Sequence, residues 1–190
     1  MKVLSGTEKL ILNGKETEFE ISDFWAWNNS DLLNNTLRGA YAEFLVSKAL
    51  GIDTSTSRID WGVYDVAYGD ICIEVKCSAY LQAWKQRKLS SIVFSIAPTQ
   101  AWTANNGYDG NPLRHSDFYI FCLFTPQEKI KAQPLDLNQW EFYVVPTKRI
   151  NEICGNKKTV TLKALTQLKP LKCAFWELKS ALNTLWKTGE

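Results

Sequence analysis

The chain has 190 residues, 45% of them hydrophobic and 22% charged, the profile of one water-soluble domain able to build a core without staples. Its 22 basic and 20 acidic side chains leave a net charge of +2, so any nucleic-acid contact has to come from local patches rather than a global field. The single histidine, His115, excludes histidine-rich metal sites and any mechanism that needs two imidazoles.

In chain order, Lys9–Leu12 and Thr17–Ile21 read as a hairpin about the Asn13-Gly14 turn signal. Ser22 or Asp23 then caps a short aromatic helix, Phe24–Asn28. A second cap, Ser30 or Asp31, opens a longer helix that runs to Leu50 and stops at Gly51, with Leu33, Leu37, Tyr41, Phe44 and Leu45 as its buried stripe. After the polar loop Asp53–Arg58 the period becomes two, and Trp61–Tyr68 and Ile71–Ser78 read as strands about Gly69-Asp70. The basic stretch Lys85–Lys88 precedes a strand at Ile92–Ile96, and Ala101–Arg114 is expected to be a long loop.

Phe118–Phe124 is apolar on both faces and should lie at the centre of a sheet. Pro126–Leu137 reads as loop, Trp140–Val145 as a strand, and Thr147–Ile153 as a short capped helix. A brief strand (Lys157–Thr161), a short helix (Leu162–Leu168) and an amphipathic helix over Leu171–Trp186 complete the pattern. The five cysteines, Cys72, Cys77, Cys122, Cys154 and Cys173, are odd in number with no CxxC pair, which predicts free thiols rather than a disulfide or zinc framework. Early charges leave no room for a signal peptide and no apolar run reaches membrane-spanning length, so the expected compartment is the cytoplasm. The expected fold is a single α/β (α+β) domain over residues 1–190, a central mixed sheet flanked by helices behind an N-terminal hairpin and helices.

The chemistry concentrates in Val63–Ser78. With Gly69 at the first centre of a type II′ turn, Tyr68 and Ile71 flank it, Asp65 falls opposite Glu74, and Lys76 and Ser78 share their face. Like charges opposed in a sheet cost about 0.2–1 kcal/mol, which asks what compensates them. A surface ion-pair strip accounts for Glu-x-Lys taken alone. A hard divalent cation accounts for the whole group: Mg²⁺ takes one or two carboxylates and keeps water for chemistry, and the lysine orients or deprotonates that water or steadies a phosphate. Glu43 adds a third acid, because its helical neighbours Gly39, Ala40, Val46 and Ser47 are small and suit close approach to a sheet.

The order Glu43, Asp65, Glu74-x-Lys76 resembles the PD-(D/E)xK phosphodiesterase superfamily, whose members have a restriction-endonuclease-like fold. The stretches DFWAW, RGAYAEFLVSKALG, YDV, IEVKCSAYLQAW, RHSDFYIFCLF and QWEFYVVPT, covering most of Phe24–Thr147, are similar to a bacterial family of nuclease-like proteins within it. Tyr64 stands where the motif has proline. The resemblance implies that Asp65 and Glu74 ligate Mg²⁺ (Mn²⁺ substituting) with the Val75 carbonyl, that Lys76 positions the attacking water, and that Glu43 contributes directly or through water. It also implies a metal-dependent endonuclease or exonuclease that hydrolyses DNA phosphodiester bonds, in a fold whose members often dimerise, although no segment marks an interface for a homodimer.

Around this core Ser78 and Gln82 are candidate phosphate or water contacts, and Lys85, Arg87 and Lys88 candidate backbone contacts. Tyr80 and Trp84 read first as packing, and Trp102 and Tyr108 as aromatics placed to close over a substrate. A non-catalytic nucleic-acid or protein-binding module of the same fold is the competing expectation. A carboxylate-pair glycosidase ranks lower, because Lys76 has no role in one.

Overall fold

Asn13 and Gly14 both take positive φ, 51° and 77°, and turn β1 (Lys9–Leu12) back onto β2 (Lys15–Glu20). The computed structural model describes residues 3–56, 62–103 and 107–189. Helix α1 (Ile21–Asn29) starts earlier than its sequence suggested; Asp23 lies within its first turn and accepts the Glu20 N–H at 2.8 Å. Helix α2 (Asn35–Leu50) is capped not by Ser30 or Asp31 but by Asn34, whose Oδ1 accepts from Thr36 and Leu37 N–H. Gly51 ends it at φ 77°. Its buried side is Arg38, Ala42, Leu45, Val46 and Leu50, rotated from the expected stripe; Phe44 is exposed and Tyr41 only half-buried, packed edge-on to Trp140.

Gly69 alone of its turn has positive φ, as type II′ requires, and joins β3 (Val66–Tyr68) to β4 (Ile71–Ala79). Trp61 lies outside the described residues, and the chain from Gly62 to Asp65 is not strand. After β5 (Val93–Ser95), the expected loop is instead a hairpin of β6 (Thr99–Thr103) and β7 (Gly107–Leu113). Gly110, Asn111 and Pro112 hid it from the sequence pattern. They fall where the register shifts between Thr99 and Ala101, an irregularity in which a residue without an N–H is tolerated.

Then follow β8 (Phe118–Phe124), β9 (Trp140–Pro146), α3 (Thr147–Cys154), β10 (Thr159–Thr161), α4 (Leu162–Gln167), β11 (Leu171–Cys173) and α5 (Leu178–Thr188). The expected helix over Leu171–Trp186 is therefore shorter. Its first three residues pair with β9 at the open edge of the sheet, and the helical part buries Leu178, Leu182 and Leu185.

The main sheet is mixed, in the order β11-β9-β8-β4-β3, with β4 and β8 parallel and the other neighbours antiparallel. Every residue of β8 is buried, because both faces are covered. On one face α2 and α5 pack over Ile73, Val75, Ile120, Cys122, Phe142 and Val144. On the other, Ile92, Phe94, Ile150 and Leu165 pack over Tyr119, Phe121, Tyr143 and Val145. The five cysteines are free thiols, and among the described residues no helix is long and apolar enough to cross a membrane. The N-terminal unit of β1, β2 and α1 supplies no residue to either core.

Candidate active site

The register of β3 on β4 pairs Val66 with Ile73, Ala67 with Cys72 and Tyr68 with Ile71, as the turn dictated. The ladder stops there. Asp65 donates its N–H to Ile73 O at 3.0 Å, and its carboxylate continues where the strand ends, Oδ2 accepting the Val75 N–H at 2.7 Å. Asp65 is thus fixed by backbone, not merely placed opposite Glu74. The Val75 carbonyl faces the same open edge as its N–H, since both groups of one residue point to one side of a strand.

Glu74 and Lys76 stand on the face of β4 away from α2. Lys76 Nζ lies 2.5 Å from Glu74 Oε1 and 3.6 Å from Asp65 Oδ2, with the three side chains only 22–27% exposed. Glu43, half-buried on α2, lines a pocket of about 630 Å³ at the sheet edge together with Asp65, Tyr64, Ala40 and Ser47. Of the small residues expected to bring this flank of α2 onto the sheet, Val46 is buried in the core, whereas Ala40 and Ser47 line the pocket. The structure therefore joins Asp65, Glu74 and Lys76 by direct ionic contact, while Glu43 shares the pocket with Asp65 and reaches Glu74 and Lys76 only through its charge.

Their electrostatics are coupled. Burial pushes the Glu74 carboxyl up; Lys76 opposes that shift while Asp65 and Glu43 reinforce it. Burial pulls Lys76 down, but the charges of Asp65, Glu74 and Glu43 and the hydrogen bond to Glu74 outweigh it and hold the ammonium above the ordinary lysine range. Lys76 thus stands as a counter-ion shared between the acids. Tyr119 adds a residue that the sequence did not single out. The parallel register sets it beside Glu74, and burial, then the Glu74 charge, drives its phenol far above the usual value, so it is a neutral hydroxyl. Only the pairing of β4 with β8, contacts more than forty residues apart in sequence, could have revealed it.

The donor set, carboxylate oxygens with a backbone carbonyl on the same edge, fits a hard divalent cation such as Mg²⁺. Among the described residues no three acidic, thiol or imidazole side chains converge closely enough to hold an ion as they stand, and the Lys76 ammonium neutralises the acids instead.

The remaining candidates divide. Ser78 is buried in β4 and Gln82 in the segment that follows. Gln82 Nε2 donates to Ala79 O and Ser90 Oγ, at 3.1 and 3.2 Å, so this side chain braces the chain instead of reaching outward to a phosphate. Lys85, Arg87 and Lys88 are all exposed. Tyr80 packs against the second core as expected, but Trp84 does not pack: it is 55% exposed. His115 donates its Nε2–H to Thr99 O, 2.8 Å away, and Arg114 is a buried tie rather than a surface contact. The side chains of Trp102 and Tyr108 lie outside the described residues. No family model matches the chain, and no curated protein matches it in sequence.

Proposed function

We propose that this chain is a divalent-metal-dependent nuclease with a restriction-endonuclease-like core that hydrolyses phosphodiester bonds, DNA being the expected substrate. One observation carries the reading: Lys76 joins Glu74 of its own strand and Asp65, at the end of the neighbouring one, in a partly buried ionic cluster, and Asp65 also lines, with Glu43 of α2, the pocket at the sheet edge. Asp65, aimed by the Val75 N–H, and Glu74 would hold the ion with the Val75 carbonyl, and Glu43 would complete its surroundings from α2. Bound Mg²⁺ supplies Lewis acidity and a water of lowered pKa. Lys76 keeps a positive charge where a scissile phosphate gathers negative charge, and its geometry is set by the two acids.

The test combines calorimetric titration with Mg²⁺ or Mn²⁺ and incubation with single-stranded, duplex and branched DNA and with RNA. Alanine at Asp65, Glu74 or Lys76 should abolish cleavage with an unchanged circular dichroism spectrum. A wild-type protein that binds neither ion and cuts none of these substrates would sink the proposal. The contact of Lys76 with Glu74 favours a second reading, a binding module whose acids are satisfied without an ion. That module would bind nucleic acid in chelator, and its Asp65→Ala and Lys76→Ala variants would bind as well as wild type.

A further inference from the structure

The chain between β4 and β5 is neither helix nor strand, yet it is pinned from within. Ser90 donates its N–H to Tyr80 O at 3.0 Å, closing the segment at its base. Gln86 Oε1 accepts the Gln82 N–H at 2.7 Å, and Gln86 Nε2 donates to Tyr80 O and Ser90 Oγ at 3.2 and 3.0 Å. With Gln82 on the same Ser90 hydroxyl, the polar interior of the loop is tied to itself. Its outer surface is thereby fixed. Lys85, Arg87 and Lys88 line a concavity of about 670 Å³ with Lys129, whose ammonium is anchored on the carbonyls of Ala83 and Trp84 at 3.4 and 3.3 Å.

Among the described residues, none of Lys85, Arg87 and Lys88 has a carboxylate within ion-pairing distance. Four like charges held around one hollow repel one another, an arrangement that suits a polyanion. Beside them Trp84 leaves more than half its surface in water. Cations for phosphates together with an unpacked indole for a base are the two components of single-strand recognition, because an unpaired base has a free face and a duplex base does not. The loop also leads from the strand that bears Glu74 and Lys76 to β5, whose Phe94 packs on Phe121 on that same face of the sheet. Lys76 and the end of β4 are roughly 10 Å apart along the strand.

We infer that the concavity of Lys85, Arg87, Lys88 and Lys129, with Trp84 at its side, is a subsite for single-stranded nucleic acid that feeds the acidic cluster. This rests on the nuclease reading for its purpose but not for its test, since binding is measured without metal.

The experiment uses the full chain in chelator with fluorescein-labelled oligonucleotides: single-stranded DNA, single-stranded RNA of the same sequence, and duplex DNA, over a salt series. The wild type should prefer single strands, and the tighter of the first two arms identifies the sugar. Trp84→Ala should weaken single-strand binding by about 5- to 150-fold, the range for one stacked base, with duplex binding and salt slope unchanged. Joint reversal, Lys85→Glu with Arg87→Glu and Lys88→Glu, should lower the log–log salt slope by about 2. All four positions are exposed, so melting curves should match wild type. Undiminished single-strand binding by Trp84→Ala, or equal competition by duplex or by polyglutamate, would overturn the inference. If binding behaves as stated but no metal-dependent cleavage occurs, the nuclease reading fails and the subsite stands. If cleavage occurs and Trp84→Ala binds normally, the subsite alone fails.

Discussion

Lys76→Met isolates the residue on which the proposed site turns. It removes the ammonium shared by Glu74 and Asp65 while keeping most of the aliphatic stem. A hydrogen bond to a charged group contributes about 1.5–3 kcal/mol; with these side chains still 22–27% exposed, solvent screening brings the loss to about 1–2 kcal/mol. In a domain of this length that lowers the melting temperature by roughly 2–8 °C. The acids left behind repel one another, and a divalent cation no longer competes with Nζ for them. Mn²⁺ should therefore stabilise the variant more than wild type, a hundredfold excess over Kd giving about 2.7 kcal/mol. Differential scanning fluorimetry with a Mn²⁺ series reads both effects, and cleavage assays on the same samples should show loss of turnover despite tighter metal binding. A variant with wild-type melting temperature, wild-type Mn²⁺ response and wild-type turnover would refute the argument at every step.

Three further perturbations probe the scaffold. Arg114 is buried and donates to Ile96 O, Asn151 Oδ1, Gly155 O and Lys157 O, so Arg114→Met strands these acceptors and should cost about 3 kcal/mol or more in urea unfolding; a loss under about 1 kcal/mol would contradict that accounting. Gln86→Ala unties the loop between β4 and β5, and hydrogen exchange should accelerate at the Gln82 and Ser90 amides but not in β8. Burial raises the Glu141 carboxyl, but hydrogen bonds from Lys172 and Tyr143, at 2.7 and 2.6 Å, and the Lys172 charge outweigh it and hold the group below its ordinary value. Its stabilisation is present above the usual carboxylate range and vanishes as pH falls through the lowered folded value. The stability gap between wild type and Glu141→Gln should accordingly close on acidification; a gap constant from neutral to acid pH would disprove the linkage.

Local signals in the chain were sufficient wherever the controlling interaction is local. Asn13-Gly14 and Gly69-Asp70 each specify a turn whose φ values only certain residues adopt, and the second turn sets the register that places Glu74 and Lys76 on one face with Asp65 beside them. Phe118–Phe124 announces a central strand because nothing in it suits water. The pattern erred where chain and solvent compete with distant partners. Leu171–Cys173 has helical periodicity behind it, yet the unpaired edge of β9 recruits it as a strand. Trp84 looks like core, but hydrogen bonds among Gln82, Gln86 and Ser90 occupy the interior of its loop and leave the indole outside.

The candidate site shows the same division. Sequence by itself determined the hairpin that aligns Asp65, Glu74 and Lys76, since turn geometry and side-chain alternation act over a few residues. Only the tertiary structure decided that α2 brings Glu43 to the pocket of Asp65, that β8 sets Tyr119 beside Glu74, and that Lys76 stands as a cation between acids. Those relations depend on sheet order and helix packing, which arise from burial summed over the whole chain and leave no mark at any single position.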